Sequence, residues 1–309
     1  MIKVDLITGF LGSGKTTFIK KYATYLINQG YKVGIIENDF GAVNVDMMLL
    51  QDLQSENCEL EMVAGACDKD CHQRRFKTKL ISMGMRQFDR VLVEPSGIFD
   101  VDEFFDILHE EPLTNWYEIG NVFAIVDSSL EKNLSKEASY LLASQVVSAG
   151  KVLLSKVDLT SQERTNETIQ LINQALTLFH GKEIEPARIK IKQWKDFEKG
   201  DYEELLESGY TNNSIEKLWF DQNEAFQSLY YMNNHFNQEE FIEKIDTIFL
   251  DQDCGHVMRV KGFYQKDNKW YEMNMTQESK TIQEIPEGQD VIIVIGEELN
   301  KTKIDQYFK

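Results

Sequence analysis

Several features that define whole classes of protein are missing from this chain of 309 residues. It has no apolar run long enough to span a membrane, no internal repeat and no low-complexity segment. Its 33 Lys and Arg residues are outnumbered by 51 Asp and Glu residues. The net charge of −18 argues against a general nucleic-acid-binding surface.

The N-terminus and the cysteines suggest a compartment. A strand pattern starts within three residues of Met1, which argues against a signal peptide, so we expect a cytoplasmic protein without a membrane partner. In that compartment, 4 cysteines are expected to be buried, reactive or metal-binding thiols and not disulfides.

Short apolar runs alternate with helical patterns through the first half of the chain. This pattern predicts an α/β domain with a doubly wound, mostly parallel sheet, because strands buried on both faces are almost continuously apolar. The expected strands are Lys3–Thr8, Val33–Ile36, Arg90–Val93, Asn121–Val126 and Lys151–Leu154. The expected helices include Thr16–Gln29, Val101–Glu110, Glu137–Ala149 and one opened by a capping box at Thr160–Glu163.

A different pattern follows the irregular stretch 181–222. A helix at Gln238–Phe249 precedes four consecutive strand-like runs and a last helix at Lys301–Tyr307. The runs are Val257–Phe263, Lys269–Met275, Thr281–Ile285 and Asp290–Ile295. Strands without intervening helices predict a smaller α+β domain. We therefore expect two domains, residues 1–212 and 213–309.

Residues 9–16 read G-F-L-G-S-G-K-T, a complete phosphate loop between a strand and a helix. Its glycines let backbone N–H groups and the helix N-terminus face a polyphosphate. Lys15 is expected to reach the β- and γ-phosphates, and Thr16 to ligate Mg²⁺. The predicted nucleotide-binding residues of this loop are Gly9, Gly12, Ser13, Gly14, Lys15, Thr16 and Thr17.

A second motif, Glu94-Pro-Ser-Gly97, follows a hydrophobic strand. In phosphate-loop nucleotidases such a carboxylate lies near Mg²⁺, and the glycine N–H can meet the γ-phosphate. We therefore predict Glu94 as a magnesium and catalytic residue, together with Lys15 and Thr16. The alternative is an ordinary turn at the end of a strand.

Ser155-Lys156-Val-Asp158 follows the strand at Lys151–Leu154. A carboxylate here can accept from both the N1–H and the 2-amino group of guanine, and adenine offers neither donor in that arrangement. Asp158 therefore predicts GTP as the nucleotide, with the Lys156 stem covering the base. The usual first residue of this motif is Asn. Ser155 in its place should brace the phosphate loop less firmly.

Two further polar segments could hold a metal ion. Glu37-Asn-Asp39 ends the second strand, and Asp39 is a candidate Mg²⁺ ligand. The second segment contains Cys67 and, four residues later, Cys71-His72, ligand types that suit Zn²⁺ or Co²⁺. Cys58 and Glu37 are candidate additional ligands. A capped connection and a chance pair of buried thiols are the alternatives, because C-x₃-C is not a strong zinc spacing.

Together these residues resemble the CobW-like GTPases, a metallochaperone group that includes HypB and UreG. The resemblance rests on residues 6–17, 37–41, 94–97, 124–127, Ser144-Gln145 and 155–158, with weaker likeness at 257–263 and 291–296. The family's cysteine cluster is usually G-C-x-C-C. This chain lacks its adjacent pair.

The resemblance implies a GTPase that delivers a metal ion to a metalloprotein or assists assembly of a metal centre. It implies GTP, Mg²⁺ and a transferable Zn²⁺- or Co²⁺-like ion, a client protein, slow hydrolysis and scope for a homodimer. The altered cysteine segment leaves open a GTP-dependent activase for a cofactor-bearing enzyme, such as a corrinoid one, that carries no metal itself. A small-molecule kinase is a third reading.

Overall fold

The computed structural model describes residues 1–39, 46–64, 69–232, 238–286 and 288–308. By packing, the chain divides into two compact units, Met1–Leu218 and Trp219–Lys309. The assignment of domains to residues 1–212 and 213–309 stays a prediction. No helix in the described ranges is long and apolar enough to cross a membrane.

The first unit contains a seven-stranded sheet in which every neighbouring pair is parallel. Its strands are β1 (Ile2–Gly9), β2 (Val33–Asp39), β3 (Cys58–Ala64), β4 (Arg90–Pro95), β5 (Tyr117–Asp127), β6 (Lys151–Ser155) and β7 (Ile189–Ile191). They are ordered β3-β2-β4-β1-β5-β6-β7. The α/β fold predicted from the alternating pattern is confirmed.

Helices connect successive strands of this sheet. They are α1 (Lys15–Asn28), α2 (Asp46–Leu50), α3 (Lys69–Gly84), α4 (Val101–Leu108), α5 (Leu113–Trp116), α6 (Lys136–Val147), α7 (Gln162–Leu178) and α8 (Lys199–Leu206). α1 buries Phe18, Tyr22 and Leu26 in a core shared with Ile7 and Leu92 of the sheet. Its apolar residues recur at helical spacing, so one face of the helix packs on the strands.

Several helix ends differ by one or two residues from the sequence-based expectation, and two of these helices have capped starts. α7 is capped by Ser161, whose hydroxyl accepts from the Arg164 N–H at 3.2 Å, so the capping pattern placed at Thr160 is wrong by one residue. α4 ends at Leu108, two residues before the expected Glu110, and Asp100 caps its start by accepting from the Asp102 N–H. Such caps satisfy N–H groups that the first helical turn leaves without partners.

A buried carboxylate, Asp5 of β1, joins several elements. It accepts from Arg90 of β4 at 2.6 and 2.5 Å, from the Tyr22 hydroxyl at 2.9 Å and from the Asn121 N–H at 2.7 Å. The β1–β5 register shifts between Val4 and Leu6, so a bulge beside Asp5 turns the Asn121 N–H toward it. Burial and the Asp5 charge hold the pKa of Tyr22 well above its ordinary value.

The segment after α8 returns to the sheet. The Gly209 N–H donates to Asn121 Oδ1 at 2.8 Å, and the Val122 N–H donates to the Gly209 carbonyl at 2.9 Å. The Thr211 N–H donates to the Ser148 carbonyl at 3.0 Å, just beyond α6. This segment therefore belongs to the packed first unit.

The second unit has a five-stranded antiparallel sheet and its own core. Its elements are α9 (Gln222–Ala225), β8 (Gln227–Met232), α10 (Gln238–Leu250), β9 (His256–Lys266), β10 (Lys269–Met275), β11 (Lys280–Ile285), β12 (Val291–Glu297) and α11 (Lys301–Phe308). The strand order is β11-β10-β9-β12-β8. Phe241 and Ile245 of α10 and Ile304 and Phe308 of α11 join the sheet's apolar residues in one cluster. The predicted α+β class is confirmed.

We expect Asp5→Ala to lower the free energy of unfolding of the first unit by about 3–5 kcal/mol, because it leaves the Arg90 charge buried without its carboxylate. Urea unfolding followed by tryptophan fluorescence measures this. Glu167→Gln is the matched control: it breaks an exposed ion pair with Lys132 and should change stability little. Equal effects of the two substitutions would contradict the buried-network interpretation.

Candidate nucleotide and metal site

The parallel sheet collects the predicted motifs at one edge. The phosphate loop follows β1, Glu37 lies near the end of β2, Glu94 near the end of β4, and Ser155 ends β6. Because the carboxyl ends of parallel strands share an edge, segments distant in sequence become neighbours. The topology alone therefore brings these four segments to the same edge of the sheet.

The phosphate loop joins β1 to α1 through residues 10–14. Gly12 and Gly14 have positive φ values of 72° and 93°, and Gly14 occupies the N-cap position of α1. Ser13 and Lys15 are buried, and Lys15 Nζ donates to the Gly9 carbonyl at 3.1 Å. Thr17 is exposed on the first turn of α1. The loop thus has the backbone form that cradles phosphate at a helix N-terminus.

Two buried acidic side chains lie beside this loop. The Thr16 hydroxyl donates to Glu94 Oε1 at 2.9 Å, joining α1 to β4. Glu37 is the register partner of Glu94 in the neighbouring parallel strand, so both side chains leave the sheet on the same face. Both are less than 5% exposed. Neighbouring buried carboxylates favour a cation between or beside them.

The Glu94–Gly97 segment lies directly against the phosphate loop. A Cβ on Gly97 would lie 2.8 Å from the Leu11 nitrogen, so a side chain cannot fit there. The Gln145 amide donates to the Gly97 carbonyl at 2.9 Å from α6. Gly97 is therefore packed closely on the phosphate loop at Leu11, and its carbonyl is bonded to Gln145 of α6.

An anchoring network around Asp100 was not predicted from the sequence. Its carboxylate accepts from the Ser144 hydroxyl at 3.0 Å and from the Tyr140 hydroxyl at 3.2 Å, both on α6. It is also 3.5 Å from Lys217 Nζ. The pair Ser144-Gln145 is thus explained: both side chains hold the segment that follows β4.

In the S-K-V-D segment, the carboxylate of the last residue is exposed to solvent. Asp158 is exposed, whereas Lys156 is pinned by an ion pair of 2.5 Å to Asp127 at the end of β5. Ser155 is buried, and its hydroxyl donates to the Val126 carbonyl at 3.4 Å. An exposed carboxylate on an anchored turn is available to a ligand.

The cysteine segment is only partly described. Cys67 and the side chain of Asp39 lie outside the described residues. Cys71 and His72 open α3, where Cys71 is half-buried and His72 is fully buried. Consecutive helical residues diverge by about 100°, so α3 does not turn these two side chains toward one ion. Burial and the nearby Arg75 charge lower the pKa of His72 to about 4.

Cys58 is not placed as the sequence predicted. It begins β3 opposite Val33, whereas Glu37 pairs with Met62 further along the strand. About 20 Å of extended chain separates Cys58 from the end of β3. Its thiol is buried in the core of α1 and the sheet, and burial raises its pKa to about 11. Its side chain is an apolar core contact, so the structure does not support Cys58 as a metal ligand, and that assignment stays an untested prediction.

No group of three or more His, Cys, Asp and Glu side chains within the described ranges could hold a metal ion. Of the predicted ligand set, Cys67 lies outside the described residues, and no three of Cys71, His72, Cys58 and Glu37 form such a group. Glu37 and Cys71 remain at the correct edge of the sheet. By contrast, Thr16 and Glu94 do form a pair of oxygen donors.

The CobW/HypB/UreG nucleotide-binding domain family matches residues 3–180. The chain belongs to this family. The match spans the sheet from β1 through β6, and thus the phosphate loop, Glu94–Gly97 and the S-K-V-D segment. The resemblance inferred from the sequence motifs is confirmed.

Curated relatives include two proteins of Escherichia coli strain K12. The zinc chaperone YjiA is 31% identical over 196 residues, which cover 58% of this chain and 58% of YjiA. The zinc chaperone YeiR is 30% identical over 168 residues, covering 53% of this chain and 49% of YeiR. The chain thus spans about half the length of the curated relatives it matches.

Among solved structures, the Zn(II)-bound YjiA GTPase from E. coli is 20% identical with a TM-score of 0.43. That comparison covers 99% of this chain and 98% of YjiA. The hydrogenase maturation factor HypB from Archaeoglobus fulgidus is 17% identical with a TM-score of 0.41, covering 66% of this chain and 87% of HypB.

In native protein at pH 8, we expect iodoacetamide to modify Cys71 and to leave Cys58 and Cys254 unmodified. The latter two thiols are buried, and burial raises the pKa of each to about 11. Peptide mapping by mass spectrometry identifies the modified residues. The same reaction in urea is the control, in which all of these thiols should react. Rapid modification of Cys58 in the native protein would contradict its place in the core.

Proposed function

We propose that the chain binds GTP with Mg²⁺, hydrolyses it slowly, and uses the cycle to deliver a metal ion to a client protein. The observation that carries this proposal is that the phosphate loop, the Glu94 carboxylate and the S-K-V-D segment lie together at one edge of the sheet. Thr16 meets Glu94 at 2.9 Å, and a Cβ built on Gly14 would lie 3.9 Å from Ser155 Cβ. Family membership supports the proposal.

The residues present fit a nucleotide with Mg²⁺. Thr16 and Glu94 offer a hydroxyl and a carboxylate, the oxygen donors that Mg²⁺ prefers, and Glu37 lies beside them. Asp39 is the further ligand that we propose. When bound, Mg²⁺ would neutralise charge on the β- and γ-phosphates during transfer to water.

The protein's own groups would position the nucleotide. Lys15 would exchange its contact with the Gly9 carbonyl for the β- and γ-phosphates, and the Gly97 N–H would meet the γ-phosphate. Asp158 would accept from two N–H groups of guanine. Gln145 would keep Gly97 in place through its bond to the Gly97 carbonyl. The described residues supply no evident general base, which fits slow turnover.

The metal ion is the cargo in this proposal. Cys71, Cys67 and Glu37 are the ligands that we propose, and a Zn²⁺- or Co²⁺-like ion suits two thiolates with a carboxylate. The relatives named zinc chaperones support zinc. The ion would pass to a metalloprotein in the cytoplasm, with a homodimer as a further proposed assembly.

One observation favours a second candidate, a GTP-dependent activase that remodels a cofactor-bearing enzyme without carrying metal. His72 is buried, Cys58 is in the core, and the described donors do not converge in threes. In that case the nucleotide site is unchanged and the cysteine segment contacts the client. Metal analysis separates the two candidates.

Asp158→Asn should weaken GTP binding by about 2–4 kcal/mol and reduce the preference for GTP over ATP, because paired hydrogen bonds to guanine are lost. Xanthosine triphosphate, which has an oxygen in place of the 2-amino group, should bind this variant better than it binds native protein. Isothermal titration with the three nucleotides measures these changes.

Glu118→Gln, an exposed acid at the amino end of β5, is the matched control and should behave like native protein. Lys15→Ala should abolish phosphate release, which separates binding specificity from hydrolysis. Equal affinity of native protein for ATP and GTP would overturn the guanine assignment.

Zinc should bind native protein more tightly when a non-hydrolysable GTP analogue is present, by about 1–3 kcal/mol, and the analogue should bind more tightly with zinc by the same factor. The double variant Cys67→Ser/Cys71→Ser should lose this zinc site. Cys58→Ala should keep it, because Cys58 is a core residue. Competition titrations with a zinc-sensitive dye measure both directions.

If the double variant binds zinc as tightly as native protein, the cluster is not the metal site and the activase candidate is favoured. If Cys58→Ala loses zinc while remaining folded, Cys58 is a zinc ligand and not only a core residue.

A further inference from the structure

The loop after β7 contains two side chains that none of the motifs explains. Gln193 precedes a short 3₁₀ turn at Trp194–Asp196. Gln193 Oε1 and Trp194 Nε1 are buried, yet neither has a hydrogen-bond partner among the described residues. Buried polar atoms normally have partners, so a ligand would account for this acceptor and this donor on consecutive residues.

The indole of Trp194 lies on the phosphate loop. A Cβ built on Gly14 would be 3.2 Å from Trp194 Cη2 and 3.4 Å from Cζ3. The ring also packs on Phe18 of α1, with 5.7 Å between the centroids. Trp194 therefore packs against both the phosphate loop and the first turns of α1.

This position compensates for a departure noted in the sequence. Asn is the usual residue where Ser155 stands, and its longer side chain would brace the phosphate loop. The Ser155 hydroxyl instead donates to the Val126 carbonyl, toward β5. The face of Gly14 nearest Ser155 is covered by the indole.

We propose that Trp194 and Gln193 determine nucleotide specificity, with the indole bracing Gly14 in place of the missing Asn and the loop's open donor and acceptor binding the purine edge. This inference rests on the proposed function, because it requires a purine nucleotide in this site. The indole N–H suits O6 or N7 of guanine, of which adenine keeps only N7. The Gln193 amide oxygen suits a ring or exocyclic N–H.

The test measures GDP and ADP affinities by calorimetry for native protein, Trp194→Ala, Trp194→Phe and Gln193→Ala. Trp194→Ala should weaken GDP binding at least tenfold. Trp194→Phe keeps an aromatic ring on Gly14 and loses only the N–H. It should therefore bind GDP several-fold more weakly and reduce the GDP-to-ADP affinity ratio, which a purely structural role would leave unchanged. Gln193→Ala should also reduce that ratio.

Tryptophan fluorescence supplies a second readout in the intact chain. Addition of GDP should change the native emission, and Trp194→Phe should abolish that change. Trp219→Phe is the matched control, because Trp219 is 83% exposed, and it should retain the change. Thermal melts of each variant establish that it is folded.

Unchanged GDP affinity and GDP-to-ADP ratio in a folded Trp194→Phe and in Gln193→Ala would overturn this inference. If Asp158→Asn still alters guanine preference in that case, the proposed function stands. If native protein binds no purine nucleotide, the proposed function itself fails.

Discussion

The buried charge of Asp5 is the constraint on which the first unit depends. A carboxylate removed from water must find its donors within the protein, and here the donors come from β4, β5 and α1. The β1–β5 register is broken at this point, and a Cβ on Gly120 would lie 2.3 Å from Asp5 Oδ1. The strand that enters the phosphate loop is thereby fixed in position relative to its neighbours and to the helix that leaves the loop.

The central strands were predictable because both of their faces are buried, which makes them nearly continuously apolar. The edge strands β3, β7 and β8 were not. β3 reads C-E-L-E-M-V-A, and Glu61 forms an ion pair with Lys79 of α3, with 2.6 Å between Oε2 and Nζ. Because charged residues are common on edge strands, the apolar pattern that identifies a strand is interrupted here. β7 has only three residues, and β8 is a short strand at the edge of the second sheet. Strand detection by hydrophobicity therefore succeeds for the buried central strands of the parallel sheet and fails for these three edge strands.

The nucleotide site was predictable for a different reason, since its motifs are contiguous and each follows a recognisable strand. The metal segment is less contiguous. Cys58 was grouped with Cys67 and Cys71 by distance along the chain, but it begins β3, and the whole of that strand lies between it and α3, where Cys71 is found. The reverse failure concerns Trp194, which is distant from Gly14 in sequence and contacts it only because β7 extends the sheet beside β6. No local pattern could have joined those two residues.

The return of residues 208–211 to the sheet affects where the boundary of the first folded unit lies. The family match ends at residue 180, before β7, α8 and this segment. A fragment cut at that boundary would keep every nucleotide motif but would strip Asn121 of the Gly209 amide and remove Leu205 from the core. The stretch matched by the family model is therefore shorter than the packed first unit, which continues to Leu218.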